Sequence, residues 1–225
     1  MNLFVSKLSI RKAGNPTGKI LYSRPCEFYD EKYEDEDYLE DDEVEIFEED
    51  GEEEEYEDDD DDIMGILIDE FRDGRLRQGW GWEYDEYSLD LQDGVGSFRD
   101  KNGRIQPTKK WVCDFMHLYD KSQKKAVGRF RILSKLLDME NGDIVFVPNI
   151  PSEDMFSVAT VDGGYEFALM EEYDEFGHII HVRDVKEYYY GDDTLPKKLW
   201  SFPPAVVRIR KDEKFREFLE KSYFK

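Results

Sequence analysis

The chain is poor in the residues that most catalytic and metal sites need. Its 225 residues include only three histidines and two cysteines. His178 and His181 lie three apart in a stretch that reads as a strand. An odd offset there sends side chains to opposite faces, which makes them a poor metal pair. His117 stands alone. There is no GxSxG, no P-loop lysine motif and no GxGxxG, and the GWGW at 79–82 fills a phosphate loop's positions with indoles. Asp184-x-Lys186 and Asp212-x-Lys214 are fragments of a metal-dependent nuclease pattern, but neither follows a core strand with a paired acid. The piece DKNGR at 100–104 lacks the remaining ligands of a calcium loop and reads as a turn. No catalytic residue, metal ligand or cofactor is therefore expected. Cys26 and Cys113 form no CxxC, and two free thiols in a reducing cytoplasm is the reading they support. No run approaches the roughly 18 apolar residues of a membrane span, and the start MNLFVSKLSIRK lacks a signal peptide's long apolar stretch. A soluble cytoplasmic chain with no membrane partner is expected.

Positive charge is also scarce, but unevenly so. The net charge is −24; residues 1–62 hold 25 acidic and 6 basic residues, and the rest hold 30 and 25. The acidity is mostly local, so it does not exclude nucleic acid as a partner of the folded part. Residues 31–62 contain 23 acidic residues and one lysine, including DDDDD at 58–62. Such density repels itself and buries too little surface to offset ordering entropy. The expectation is a disordered acidic insertion at 31–62, between a first strand and loop (1–30) and the remainder of one domain (63–225). Tyr38, Leu39, Val44, Ile46, Phe47 and Tyr56 punctuate the insertion and could dock a short piece of it on a basic surface. DNA mimicry is the sharper alternative.

What the chain does have is aromatic side chains, at 15%, beside alternating apolar stretches. Residues 2–10 and 20–22 read as strands. Met64, Leu67, Ile68 and Phe71 follow helical spacing, with Gly74 at the stop. A strand carrying Trp80 and Trp82 comes next, then a loop at 93–103 and a mixed apolar segment at 109–119. Ser122 caps a helix with Ala126, Phe130, Leu133 and Leu137 on one face. After Gly142 come the strands, and Asp212 caps a last helix with Phe215 and Leu219 inward. This is an α+β chain whose β-rich half can close into a small barrel flanked by helices. Trp80, Trp82, Tyr84, Tyr165 and Phe167 lie beside these strands, with Arg183 close to His181. Each ring alone is more often core. As a group they suit an unstacked base, which rings hold by stacking and polar groups read at its edge.

Four stretches, in order, carry a resemblance. GRLRQGWG at 74–81 follows a helix. GDIVFVP at 142–148 ends another. VATV at 158–161 leads to GYEF at 164–167, and HVRDVKEY occupies 181–188. Together they resemble the PUA-like barrels, close to EVE domains and to the N-terminal domains of Mrr-like and McrB-like modification-dependent restriction proteins. The family's glycine in "IGRV" is replaced here (Ser157-Val158-Ala159), and its proline before the valine is Asp184. The resemblance implies a non-enzymatic reader of nucleic acid, typically DNA with a modified base such as methylated cytosine, within a restriction or anti-phage system whose effector is a separate protein. By position it makes Trp80, Trp82 and Tyr165 stacking candidates, and His181 and Arg183 polar or phosphate contacts. Lys124, Lys125 and Arg129, with Lys109, Lys110 and Arg131, form a basic run for the backbone. The competing reading is a protein-interaction or inhibitory module, in which residues 31–62 engage a basic partner and the barrel is scaffold.

Overall fold

The computed structural model describes residues 1–6, 60–99, 104–170, 175–191, 195–200, 205–209 and 213–225. The insertion up to residue 59, the second half of the 2–10 strand, the 20–22 strand, most of DKNGR and the Asp212 cap lie outside them.

Strand β1 (Leu3–Ser6) comes first, then helix α1 (Asp60–Arg72), β2 (Arg75–Gln78) and the short pair β3 (Glu83–Tyr84) and β4 (Tyr87–Ser88). A one-turn helix α2 (Leu91–Gly94) leads into β5 (Val95–Arg99) and β6 (Ile105–Pro107). Helices α3 (Lys109–Tyr119) and α4 (Gln123–Leu133) follow, then β7 (Ile144–Pro148), β8 (Met155–Phe167), β9 (His178–Tyr189), β10 (Val206–Ile209) and α5 (Glu213–Phe218). The 93–103 stretch, expected as loop, thus pairs β5 with β6, and the mixed segment 109–119 is a full helix capped by Thr108.

Six strands form one curled half-barrel sheet, in the order β10-β1-β7-β8-β9-β2. Only β1 with β7 is parallel. The sheet is buried on both faces, which is why LFV and IVFVP are continuous rather than alternating apolar runs. Phe4, Leu76, Val145, Val147, Ala159, Val161, Ile180 and Val182 point inward, against Leu67 and Phe71 of α1, Trp111 and Phe115 of α3 and Phe130 of α4. Leu3, Val5, Ile144, Phe146, Phe156 and Val158 point outward, where Phe215, Phe218, Leu219 and Tyr223 cover them. The curl brings β2 back to the end of β1, where Ser6 Oγ donates to Gln78 Oε1 at 3.1 Å, both buried.

Gly74 makes the turn from α1 into β2 possible. It has φ +94°, and a Cβ there would lie 2.8 Å from the Val182 carbonyl oxygen. Arg77 fastens β2 from within, ion-paired to Glu70 and donating to the carbonyls of Ala168 and Phe176 at 2.6 and 2.8 Å.

Cys113 on α3 is disulfide-bonded. This corrects the expectation of two free thiols; the other cysteine, Cys26, lies outside the described residues. Disulfides persist in oxidising surroundings, so the cysteines no longer argue for a reducing cytoplasm. No helix of the described residues is long and apolar enough to cross a membrane.

Candidate functional site

Past Gln78 the chain leaves the sheet and turns inward across the mouth of the curl. Trp80, expected on a strand, takes a left-handed conformation with φ +68°. For a residue with a side chain this costs on the order of 1–2 kcal/mol. The turn is held from outside: Gly81 N–H donates to the Glu175 carbonyl at 3.0 Å, Gly177 N–H to the Gly81 carbonyl at 2.9 Å, and Leu89 N–H to the Trp82 carbonyl at 3.0 Å. Gly81 lies so close to β9 that a Cβ would be 2.9 Å from His178 N and 3.0 Å from His178 Cδ2. The turn therefore sits directly on the His178 ring.

Two walls face this turn. On the helical side the Trp80 indole stacks on Phe115 (centroids 5.6 Å, 21°) and meets Tyr119 at 4.8 Å. The Arg129 guanidinium covers the Trp80 ring at 4.0 Å. Trp82 meets Tyr119 at 6.4 Å and Tyr84 at 6.5 Å, so the rings run from the core to the 45% exposed Tyr84. On the sheet side Tyr165, Phe167 and His178 share the inner face. The Tyr165 hydroxyl accepts Leu91 N–H at 3.1 Å and lies 2.8 Å from His178 Nδ1. Assigning the hydroxyl proton to that bond leaves the imidazole proton on Nε2.

Burial dominates the electrostatics. His178, fully buried, has its pKa pushed down to about 3 by loss of hydration, with the Trp80 carbonyl acting in the opposite direction. The phenols of Tyr119 and Tyr165 are pushed up for the same reason. All three are neutral at ordinary pH. Two buried polar atoms beside the turn have no hydrogen-bond partner, Trp82 Nε1 and Tyr119 OH, while His178 Nε2–H faces the Trp80 carbonyl. Leaving such a group unpaired costs about 1–3 kcal/mol, and here they are gathered on neighbouring rings.

The structure brings together Trp80, Trp82 and Tyr165, all half-buried against one core, and adds Arg129 to them. It does not add His181 or Arg183. These point to the outer face of β9, where His181 Nε2 is 2.6 Å from Glu166 Oε2 and Arg183 is 3.0 Å from Asp162. The opposite-face argument for His178 and His181 thus holds. Lys124 and Lys125 are exposed on the first turn of α4. His117 stacks on Tyr87 at 4.5 Å. Among the described residues no group of three or more metal-ligating side chains is placed to hold an ion.

Sequence reasoning missed His178, Phe115 and Tyr119. The signal for the last two was the spacing of Trp111, Phe115 and Tyr119, four apart on one helix face. For His178 it was parity with Ile180 and Val182 on an inward face. Comparison of the chain with protein-family models, with curated proteins and with solved structures finds no match.

Proposed function

We propose that this protein binds nucleic acid and holds an unstacked base, modified in the manner of methylated cytosine, against the turn at 79–82. One observation carries the reading: two buried, unpartnered polar atoms, Trp82 Nε1 and Tyr119 OH, lie on neighbouring rings beside a turn walled by aromatic side chains. Rings supply stacking, worth about 1–3 kcal/mol per base. The Trp82 N–H and the Tyr119 hydroxyl supply the polar edge, and they suit a ring that presents acceptors. A base stacked on Trp80 takes the place the Arg129 guanidinium now holds. Lys124 and Lys125 extend the positive surface along α4. The curled sheet and the order of GWGW, GDIVFVP, GYEF and HVRDVKEY add the resemblance to PUA-like readers of modified DNA.

The test is binding of the full chain to duplexes with and without methylated cytosine, over a range of salt. The modified duplex binds more tightly, and affinity falls as salt rises, as phosphate contacts require. Trp80→Ala weakens the modified complex about tenfold, in line with the loss of one stacking partner. Tyr119→Phe separates a binding site from ordinary core. Removing an unpaired buried hydroxyl raises stability by about 1 kcal/mol, while binding of the modified duplex weakens. Equal affinity for both duplexes in the wild type, or no change of affinity in Tyr119→Phe, rejects the assignment.

A further inference from the structure

The stretch 80–91 crosses the mouth of the curl as a strap. Trp80 and Leu91 are its two feet, and β3 and β4 pair between them. The second leg of the strap is fastened to α3. Ser88 N–H donates to Asp114 Oδ2 at 3.2 Å, and Trp111 Nε1–H donates to the Leu89 carbonyl at 3.1 Å. Tyr87 adds its stack on His117. The first leg begins at Trp80, whose left-handed conformation has to be held against its own strain.

Two side chains of the sheet join the feet. Leu91 N–H donates to the Tyr165 hydroxyl oxygen at 3.1 Å, that hydroxyl lies 2.8 Å from His178 Nδ1, and the far side of the imidazole faces the Trp80 carbonyl. The order of protons along this line follows from its ends. A backbone N–H only donates and a carbonyl only accepts. A neutral imidazole has one ring proton, and facing a carbonyl that proton sits on Nε2. Nδ1 is then bare and accepts the Tyr165 hydroxyl. The other tautomer would set the Nε2 lone pair against the carbonyl oxygen. Tyr165 stands on β8 and His178 on β9, in paired parts of the two strands, so the line rests on the sheet. Gly81 gives the ring its access, since a Cβ there would be 3.0 Å from His178 Cδ2.

We propose that Tyr165 and His178 are positioning residues for the base site. They form a relay that fixes Trp80 in the conformation presenting its indole and ties it to the other foot of the strap at Leu91. Tyr165 then serves through its hydroxyl, which the relay uses, and not as a stacking ring. The effect on binding rests on the base-site reading; the relay itself does not.

NMR of the imidazole nitrogens in the wild-type chain is expected to show His178 Nε2 protonated and Nδ1 bare. A proton on Nδ1 overturns the relay. In Tyr165→Phe, amide exchange at both feet, read at Leu91 and Gly81, speeds about tenfold relative to Ser88, whose amide Asp114 holds. His178→Asn keeps an acceptor for Tyr165, but its amide stops short of the Trp80 carbonyl. Gly81 therefore speeds while Leu91 does not. His178→Gln, whose amide nitrogen reaches about as far as Nε2, restores the protection of Gly81. Duplex with methylated cytosine binds His178→Asn about tenfold more weakly than wild type, and His178→Gln recovers most of that loss.

A role in stability alone would speed Ser88 in step with the feet. That result, or exchange at Gly81 unchanged in both Tyr165→Phe and His178→Asn, overturns the proposal. Tautomer and exchange are read without duplex. A wild type that binds both duplexes equally rejects the base site alone, and feet that stay protected with the preference intact reject the relay alone.

Discussion

Acidification from pH 7.5 to 5.0 removes about 2 kcal/mol of folding stability that a His178→Asn variant keeps. The folded imidazole is fully buried and takes up a proton only near pH 3, whereas an unfolded histidine does so near 6.5. The folded pKa is the lower one, so folding excludes a proton that the unfolded chain accepts. The contribution is fully present above pH 6.5 and is lost as pH falls from 6.5 towards 3, at about 1.4 kcal/mol per unit. Stopping at pH 5.0 uses only 1.5 units of that window and stays above most carboxylate titrations. Asparagine is the fitting replacement, because its amide oxygen can accept the Tyr165 hydroxyl where Nδ1 does now. Urea unfolding at pH 7.5, 6.5, 5.5 and 5.0 gives the comparison. Stability curves that run parallel in the two proteins would show that His178 is not the group responsible.

Phe146→Ala costs about 3–5 kcal/mol of stability, the usual toll for emptying a buried ring site. Phe146 is on β7, the strand flanked by β1 and β8, and is fully buried on the outer face. Its ring meets Phe215 edge-on at 4.8 Å and Phe218 at 6.3 Å. The cavity left behind lies between a rigid sheet and the short helix α5, so collapse is incomplete on the sheet side. Chemical denaturation of both proteins measures the difference; a loss below 1 kcal/mol would mean that α5 contributes little to the outer core. The modified-base preference on the inner face is expected to persist in whatever fraction remains folded.

Local chemistry made much of the fold readable. Helical spacing, Gly74 and the Ser122 cap located α1 and α4, and the run from Gly142 to Pro148 located β7. What was unreadable depends on registers set across the sheet. That β8 sets Glu166 beside His181, and Asp162 beside Arg183, cannot be seen from either strand alone. Those pairings put His181 and Arg183, two expected ligand contacts, beside carboxylates on the outer face. Trp80 was assigned to a strand because its neighbours alternate. The close approach of Gly81 to β9 forces the chain out of extended geometry just there. Tyr119 matters only because α3 ends beside Trp80, a contact between segments about forty residues apart.

The arrangement of β1 bears on how the chain assembles. Leu3 pairs with Ile144 on one side and with Ile209 on the other. Both partners are synthesised long after β1, while the adjacent strands β7, β8 and β9 can zip together over short loops. β1 is thus made before both of its partners, and until they are in place it is a short apolar edge able to pair with another copy. The 23 carboxylates of residues 31–62 follow close behind it in sequence. Like charges at this density oppose the close approach of two chains, as charged gatekeepers do beside an aggregation-prone segment. A chain lacking 31–62 should refold to the same stability yet lose more material to aggregates as concentration rises, which light scattering during refolding would record.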